Sequence, residues 1–315
     1  MATKKQPGKK RSVSVVPAPG TAPDHAAVTP PPLGGLLLGA HVSIAGGTHE
    51  APPRARAIDA TAMQVFSKMA NRWAERECLD DECVRFRSAL SETAVRSTMA
   101  HDSYLINLAS PDPVLRARSI ESFIAELRRC NALGLGALVS HPGNYMDERD
   151  AGIARNADSI TAALEAVPGD VVLCLETTSG SGTSLGASFE ELAGIIARVG
   201  DYVRPRVSVC VDTCHIFSAG YDLVNDYDGV WARFEDAFAM RAPRAMHLND
   251  SKTPFDSRRD RHELIAEGSL GESPFRRIMN DPRLANVPKV IETPKLDDAE
   301  ATDRRMLERL RGYLA

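Results

Sequence analysis

The stretch "VSVCVDTCHIF" (207–217) joins an apolar, β-branched run to Asp212, Cys214 and His215. Its cysteines, Cys210 and Cys214, are four residues apart, whereas thiolate zinc sites need four clustered ligands, usually supplied as two close pairs. The pattern therefore favours a buried strand that ends at Asp212 and argues against a cysteine site, so Asp212 and His215 remain as the candidate ligands. The remaining cysteines are scattered at Cys78, Cys83, Cys130 and Cys174.

Seven similar runs occur along the chain, separated by segments with helical patterning. Several are apolar without alternation, which is typical of parallel strands that are buried on both faces. Eight alternating strand–helix units predict an α/β fold of the (β/α)8 TIM-barrel type. A doubly wound open sheet is the alternative, but no dinucleotide-binding fingerprint follows the first strand. The predicted strands are 36–42, 62–66, 97–101, 137–141, 171–176, 207–212, 244–249 and 289–292.

Two of the intervening segments carry helix-start signals. Asp112 stands before Pro113, where it can act as an N-cap, and Ser188 and Glu191 have the spacing of a capping box. We therefore expect one helix to begin at Pro113 and another directly after Ser188.

The residues at the ends of the predicted strands are chemically unusual. Seven of the eight are His, Asp or Glu, although these types make up 50 of the 315 residues, so chance would place about one there. In a TIM barrel, the carboxyl ends of the strands meet at the face that carries the chemistry. Converging imidazoles and carboxylates predict a site for zinc, manganese or iron, with His215 in a loop at the same rim. The strand-end residues are His41, Phe66, His101, His141, Glu176, Asp212, His247 and Glu292.

A second cluster lies in "HLNDSKTPFDSRRDRHELIAEGSLG" (247–271). Asp260 and His262 are two residues apart, and in extended backbone such a pair projects to the same side, so both side chains can hold one ion. We expect this pair in a long loop after the seventh strand. The flanking Arg258, Arg259 and Arg261 suit a phosphate-containing substrate, although a solvated basic run is the simpler interpretation.

The first 33 residues differ in composition from the rest. They include "KKQPGKKR" (4–11) and a segment rich in proline, alanine and glycine, which predicts a disordered basic tail (1–33) before a single barrel domain (34–315). The tail carries a net charge of +4 and the remainder −8. An acidic body binds nucleic acid poorly unless cations are added or basic groups cluster. A nucleic-acid-contacting or nuclear-targeting arm is the alternative to a solvated leader.

The chain shows no signal of membrane insertion or secretion. No apolar run approaches the roughly 20 residues of a membrane span, and the N-terminus lacks the apolar core of a signal peptide. Six scattered cysteines suggest a reducing compartment. We expect a protein of the cytoplasm or nucleoid if it is prokaryotic, with a nuclear location open through the basic tail.

Seven motifs occur in order along the chain: "GAHVSIAGG" (39–47), "AHDSYLINLAS" (100–110), "HPG" (141–143), "VDTCHIFSAGYDL" (211–223), "HLNDSK" (247–252), "DRHELIAEGSLG" (260–271) and "IET" (291–293). Together they resemble the endonuclease IV family of apurinic/apyrimidinic DNA repair endonucleases. The likeness runs from about Gly39 to Glu292, nearly the whole predicted barrel. Motifs of this length in this order are highly specific.

The resemblance implies a (β/α)8 barrel with three zinc ions per chain. Glu176 would bridge two of the ions and position the nucleophile, which makes it the expected catalytic residue. His41 matches a family position but is not an implied ligand. The implied ligands are His101, His141 and Glu176 for the first ion, Glu176, Asp212, His247 and Glu292 for the second, and His215, Asp260 and His262 for the third.

The resemblance also implies contacts with DNA, and here the chain departs from the family pattern. Lys68 matches a family lysine, but Asn71 stands where a basic residue usually wedges into DNA, with Arg72 beside it. Tyr104 matches a residue that intrudes at the lesion. Ala266 replaces a usual glycine. We expect DNA contacts at Lys68, Asn71, Arg72, Tyr104, Arg258, Arg259 and Arg261.

The implied reaction is hydrolysis of the phosphodiester 5′ to an abasic site in double-stranded DNA, and also the removal of 3′-blocking groups. It would leave a 3′-hydroxyl and a 5′-deoxyribose phosphate, and a monomer would perform it. A metal-dependent barrel sugar isomerase or epimerase is the first alternative, but it gives no use for His215, Asp260 and His262. A module that binds abasic DNA without cutting it is the second, and it would be favoured if ligands were missing.

Overall fold

The computed structural model describes residues 1–2 and 35–315. The predicted tail (1–33) lies outside the described residues except for its first two positions, so the tail and its boundary stay predictions. In chain order, the strands of the described part are β1 (Leu38–His41), β2 (Ala62–Phe66), β3 (Ser97–His101), β4 (Ala137–Ser140), β5 (Val172–Glu176), β6 (Val207–Asp212), β7 (Ala245–His247), β8 (Asp250–Ser251), β9 (His262–Glu263) and β10 (Lys289–Ile291).

Eight of these strands close into a parallel barrel in the order β1-β10-β7-β6-β5-β4-β3-β2. All eight correspond to the predicted runs, so the (β/α)8 TIM barrel is confirmed and the open doubly wound sheet is wrong. Strands β8 and β9 stand apart as an antiparallel pair.

Helices connect the barrel strands. Asp112 caps the helix that begins at Pro113, as predicted, because its carboxylate accepts the N–H of Val114 at 2.8 Å. Ser188 likewise accepts the N–H of Glu191, but the Glu191 carboxylate turns to the preceding loop, so half of the predicted capping box forms. No helix among residues 1–2 and 35–315 combines the length and apolar character that a membrane span requires. The helices are α1 (Ala51–Ala57), α2 (Asp80–Ser91), α3 (Pro113–Leu133), α4 (Arg149–Ala166), α5 (Phe189–Arg198), α6 (Thr213–Ser218), α7 (Tyr227–Phe238), α8 (Glu272–Asn280) and α9 (Ala299–Arg311).

Side chains along each strand point alternately to the barrel interior and to the surrounding helices. A large outer cluster packs strands against helices, and a smaller cluster fills the barrel interior. A residue two positions beyond an interior residue faces the interior again, nearer the rim. The interior cluster is Leu37, Ala62, Met99, Ala137, Val139, Cys174, Cys210, Ala245 and Val290. Two positions beyond seven of these stand Gln64, His101, His141, Glu176, Asp212, His247 and Glu292.

Two segments that we predicted to be loops contain regular secondary structure. His215 lies in the first turn of the short helix α6, where Asp212 is the N-cap and accepts the His215 N–H at 2.9 Å. The long connection after β7 contains the β8–β9 pair, in which Ser251 stands opposite His262. Both elements hold predicted ligands at the carboxyl-terminal rim of the barrel.

Candidate metal centre and DNA-facing rim

Glu176 lies at the centre of the rim. It ends β5, is fully buried, and faces four imidazoles. Its Oε2 atom lies 3.1 Å from Nε2 of His101 and 3.0 Å from Nε2 of His141. Its Oε1 atom lies 2.8 Å from Nδ1 of His247 and 3.3 Å from Nδ1 of His215. The two carboxylate oxygens therefore face two different pairs of histidines.

Four sets of side chains at this rim have ligand atoms that all lie within 4.8 Å of one another. Three of them coincide with the ligand sets that the family resemblance implies, and Glu176 belongs to two. The fourth combines Asp212 and His262 with Cys214, whose thiol donates to a backbone carbonyl at 3.6 Å. The structure thus brings all nine predicted ligands together. The three expected sets are His101–His141–Glu176, Glu176–Asp212–His247–Glu292 and His215–Asp260–His262.

Three of these histidines have one ring nitrogen next to a backbone carbonyl. Because a carbonyl can only accept, that nitrogen carries a proton, and in the neutral ring the other nitrogen is free to bind a metal. In all three, the free atom is Nε2, and it points toward a carboxylate of the site. Metal-binding histidines usually have such a second partner. The pairs are His101 Nδ1 with Asp102 O at 2.9 Å, His215 Nδ1 with Thr177 O at 2.8 Å, and His262 Nδ1 with Glu292 O at 3.2 Å.

Neighbouring side chains shift the pKa values of Glu176, Asp260 and His101. Burial alone would raise the pKa of Glu176, but the charge of His247 holds that pKa well below its ordinary value. Burial would likewise raise the pKa of Asp260, but the hydrogen bond from His215 lowers it to about 2. Burial lowers the pKa of His101, but its hydrogen bond to Glu176 raises the value to about 9. Glu176 and Asp260 are therefore ionised at neutral pH, and a bound cation would displace the extra proton of His101.

The donor set fits a metal ion. Nε2 of His262 is buried and has no hydrogen-bond partner among the described residues, although Asp260 Oδ1 lies 3.3 Å away. Leaving a buried polar atom unpaired costs free energy, which an ion shared with Asp260 and His215 would offset. Imidazole and carboxylate together suit zinc and related transition metals. The geometry therefore indicates metal use at this rim.

Two buried amides that the sequence analysis did not single out also belong to the site. Asn249 donates from Nδ2 to Asp212 Oδ2 at 2.6 Å and accepts the Glu292 N–H at 2.8 Å. Gln64 contacts Glu292 and His247. The signal for Gln64 was present in "AMQVF" (62–66), because alternation from the interior Ala62 turns Gln64 inward. The predicted strand-end residue was instead Phe66, two positions further along β2.

Lys68 does not reach the surface in this structure, and its predicted contact with DNA stays a prediction. The residue is 3% exposed. Its Nζ donates to Glu75 at 2.6 Å, to Ser122 Oγ at 3.1 Å and to the Arg72 carbonyl at 3.1 Å. Arg129 binds the other oxygen of Glu75 at 2.7 Å. Since a buried ammonium needs such partners, Lys68 holds the loop after β2 instead of presenting a cation to solvent.

The other predicted contact residues of this side are accessible. Asn71 and Arg72 are exposed in the turn after β2. Tyr104 is 66% exposed and packs edge-on against Phe66, with ring centroids 5.3 Å apart. Burial raises the pKa of Tyr104 to about 12, so its hydroxyl stays protonated at neutral pH. The contact of Asn71, Arg72 and Tyr104 with DNA stays a prediction.

The three arginines of the loop after β7 line a cavity of about 510 Å³ next to Asp260. Arg258 is in the left-handed region at φ 55 and pairs with Asp256 at 2.9 Å. Arg261 donates to the Asp260 carbonyl at 2.6 Å. Arg259 is exposed, and its side chain has no partner in the described part of the chain. Lys252, Ser181 and Thr253 complete the lining of a cavity that suits an anionic group.

A closed barrel with these ligand sets at its strand ends defines a metal-dependent TIM-barrel enzyme. The family described as xylose isomerase-like TIM barrel matches residues 52–312. A probable endonuclease 4 from Geobacter sulfurreducens is 45% identical over 84% of this chain and 90% of its own length. Another from Chloroflexus aggregans is 42% identical over 88% of this chain and 97% of its own length. The chain belongs to the endonuclease IV family.

Solved structures agree with this membership. Endonuclease IV from Thermus thermophilus superposes with a TM-score of 0.78 at 32% identity, covering 87% of this chain and 98% of that one. A 3-keto-D-glucoside 4-epimerase from E. coli superposes with a TM-score of 0.63 at 13% identity, over 88% of this chain and 99% of that one. The second likeness shows the fold alone. The bacterial relatives named here give no support to a nuclear role for the tail.

Proposed function

We propose that this chain is an apurinic/apyrimidinic endonuclease that hydrolyses the phosphodiester 5′ to an abasic site in double-stranded DNA. The products would be a 3′-hydroxyl and a 5′-deoxyribose phosphate. The observation that carries the proposal is the convergence of nine His, Asp and Glu side chains, in three adjoining sets, around Glu176. We extend the proposal to 3′-blocking groups, because the same residues would face a phosphate ester at a 3′ end.

Three zinc ions per chain would occupy the three sets. When bound, they would supply activation of water at neutral pH and neutralisation of the phosphate charge. Glu176 is the expected catalytic residue, since its two oxygens face different sets and so hold those sets at a fixed spacing. The first set is His101, His141 and Glu176, the second is Glu176, Asp212, His247 and Glu292, and the third is His215, Asp260 and His262.

The residues around these sets would bind and orient the DNA. Arg258, Arg259 and Arg261 line the cavity beside the third set, where their guanidinium groups would hold backbone phosphates. Tyr104 stands exposed next to the first set and would fill the space at the lesion. Turning an abasic sugar out of the duplex costs little because no base pair is lost. We propose that the chain acts as a monomer.

Cleavage of a defined lesion tests the reaction. Zinc-reconstituted protein would be incubated with a duplex that carries one tetrahydrofuran abasic analogue, and with the same duplex without the lesion. We expect a nick 5′ to the analogue with a 3′-hydroxyl end, and no nick in the intact duplex. Equal cutting of both duplexes, or none of either, would contradict the proposal.

The third set separates the nuclease from a sugar isomerase of the same fold. His262→Ala should lower the zinc content from about three ions per chain to about two and reduce nicking by orders of magnitude. His49→Ala is the matched control, since His49 lies outside all four ligand sets. Wild-type protein that holds at most two ions and converts a sugar, with His262→Ala unchanged, would favour the isomerase.

A further inference from the structure

Gln64 is a fully buried amide between two ligands of the second set. Its Nε2 lies 2.6 Å from Glu292 Oε1, and its Oε1 lies 2.8 Å from His247 Nε2. The same Nε2 is 3.0 Å from His41 Nδ1. Gln64 therefore joins a strand that supplies no ligand, β2, to ligands at the ends of β7 and β10.

The hydrogen-bonding capacity of these groups fixes which atom donates. An ionised Glu292 can only accept, so the NH2 group of Gln64 must face it. The carbonyl oxygen of Gln64 then faces His247 Nε2 and must accept a proton from it. In the neutral ring, this leaves Nδ1 of His247 without a proton. Nδ1 is the atom that points into the second set, 2.8 Å from Glu176 Oε1 and 3.2 Å from Glu292 Oε2.

A comparison with three other histidines of the site shows why the acceptor beside His247 matters. His101, His215 and His262 each place Nδ1 against a backbone carbonyl, which leaves Nε2 as the metal-binding atom. His247 uses the opposite nitrogen, and the acceptor at its far side is the Gln64 side chain. A side chain can be replaced by mutation, whereas a backbone carbonyl cannot.

We propose that Gln64 is a positioning residue that orients His247 and Glu292 as ligands and selects the His247 tautomer with Nδ1 free for metal. This rests on the proposed metal centre. Asn249 plays a separate part, because it contacts Asp212 and the backbone of Glu292. The Glu292 carboxylate is contacted by Gln64 at 2.6 Å and more distantly by His41 Nδ1 at 3.2 Å. Loss of Gln64 should therefore weaken the ion of the second set and spare the third.

Two substitutions of Gln64 test the role. Gln64→Met keeps the length of the side chain and removes its hydrogen bonds to Glu292 and His247, together with the contact to His41. Gln64→Glu keeps an acceptor for His247 and places a carboxylate against Glu292. Met63→Leu is the control, since Met63 is buried on the outward face of the same strand. Each zinc-loaded protein would be mixed with excess chelator, and the rate at which each ion is released would be measured. Imidazole NMR of the same proteins would detect the Nε2–H of His247.

We expect both variants to release one of about three ions some 10–100-fold faster than wild type, the range typical for the outer partners of metal ligands. The NMR signal of the hydrogen-bonded Nε2–H of His247 should be lost in Gln64→Met. Met63→Leu should match wild type in both measurements. If Gln64→Met does not fold, the rate of ion release from the isosteric Gln64→Glu variant decides whether Gln64 positions the ligands.

Three outcomes would overturn the inference. Wild-type rates for all ions in both variants, while wild-type protein holds zinc and nicks DNA, would refute the Gln64 role alone. Equal acceleration of every ion would show a general loss of structure instead of positioning. A wild-type protein that takes up no zinc would overturn the proposed function together with this inference.

Discussion

Strand ends and rim loops of this barrel are held in place by different means. The strand-end ligands inherit their positions from the backbone ladder, which sets Asp212 directly opposite His247. The loop after β2 has no ladder, and side-chain bonds from Lys68, Glu75 and Arg129 hold it instead. A ladder is encoded by a repeating pattern, whereas a side-chain network depends on pairs that are far apart in the chain. The first region is therefore readable from sequence, and the second is not.

This contrast predicts that the largest effects of mutation come from the strand ends. Glu176→Gln keeps the size of the side chain and removes the charge that faces four imidazoles. We expect nicking of abasic DNA to fall by at least about a thousandfold, roughly 4 kcal/mol of barrier, with an unchanged circular dichroism spectrum. Glu190→Gln on the exposed face of α5 is the control. A folded Glu176→Gln protein that keeps more than about a tenth of wild-type turnover would refute the bridging role.

The sequence was sufficient for the barrel and for the inward direction of its ligands. Apolar runs gave the eight strands, and alternation along them carries an interior residue such as Cys174 to Glu176 two positions on. It was insufficient for Gln64, because β2 ends at the apolar Phe66 and its inward polar side chain lies two positions earlier. It was also insufficient for Lys68, since the Ser122 hydroxyl that it contacts and the Arg129 that holds Glu75 both come from α3, about 50 residues further along the chain.

The arginines of the loop after β7 should affect DNA affinity more than catalysis. Replacing Arg258, Arg259 and Arg261 with Ala should lower the slope of log affinity against log salt by up to about 2.7, or about 0.9 for each phosphate contact. Binding would be measured by fluorescence anisotropy between about 50 and 200 mM salt. An unchanged slope would mean that the cavity does not hold phosphate. The control set is three exposed arginines on the other side of the barrel, near the carboxyl end of α3, at the end of α5 and just after α7: Arg128, Arg198 and Arg241.

Lys68→Met should separate a loop anchor from a DNA contact. Glu75 keeps Arg129 after the change and is partly exposed, so we expect the free energy of unfolding to fall by only about 1 kcal/mol. Affinity for abasic DNA should fall a few fold because the loop loosens, with no change in the salt slope. A slope lowered by about 0.9 would instead indicate a direct phosphate contact. Chemical denaturation and the same anisotropy titration measure both effects.

Asn71 should give the smallest effect. Its amide is uncharged and shorter than the basic residue that the family usually carries at this position, so in the proposed complex it would fill less of the space beside a flipped nucleotide. Asn71→Arg should therefore tighten binding to abasic duplex by roughly threefold, within the range of one added contact. Added charge alone would tighten binding to any DNA, so the measured quantity is the ratio of affinities for abasic and intact duplex.

Ala74→Arg separates charge from position in this last comparison, since Ala74 is exposed in the same loop. It should strengthen binding to both duplexes equally and leave the ratio unchanged. If Asn71→Arg behaves in the same way, the position does not reach the lesion, and the exposed Arg72 beside it becomes the residue to test. A ratio that rises only for Asn71→Arg would show that a loop held by Lys68 and Glu75 presents position 71 to the flipped sugar.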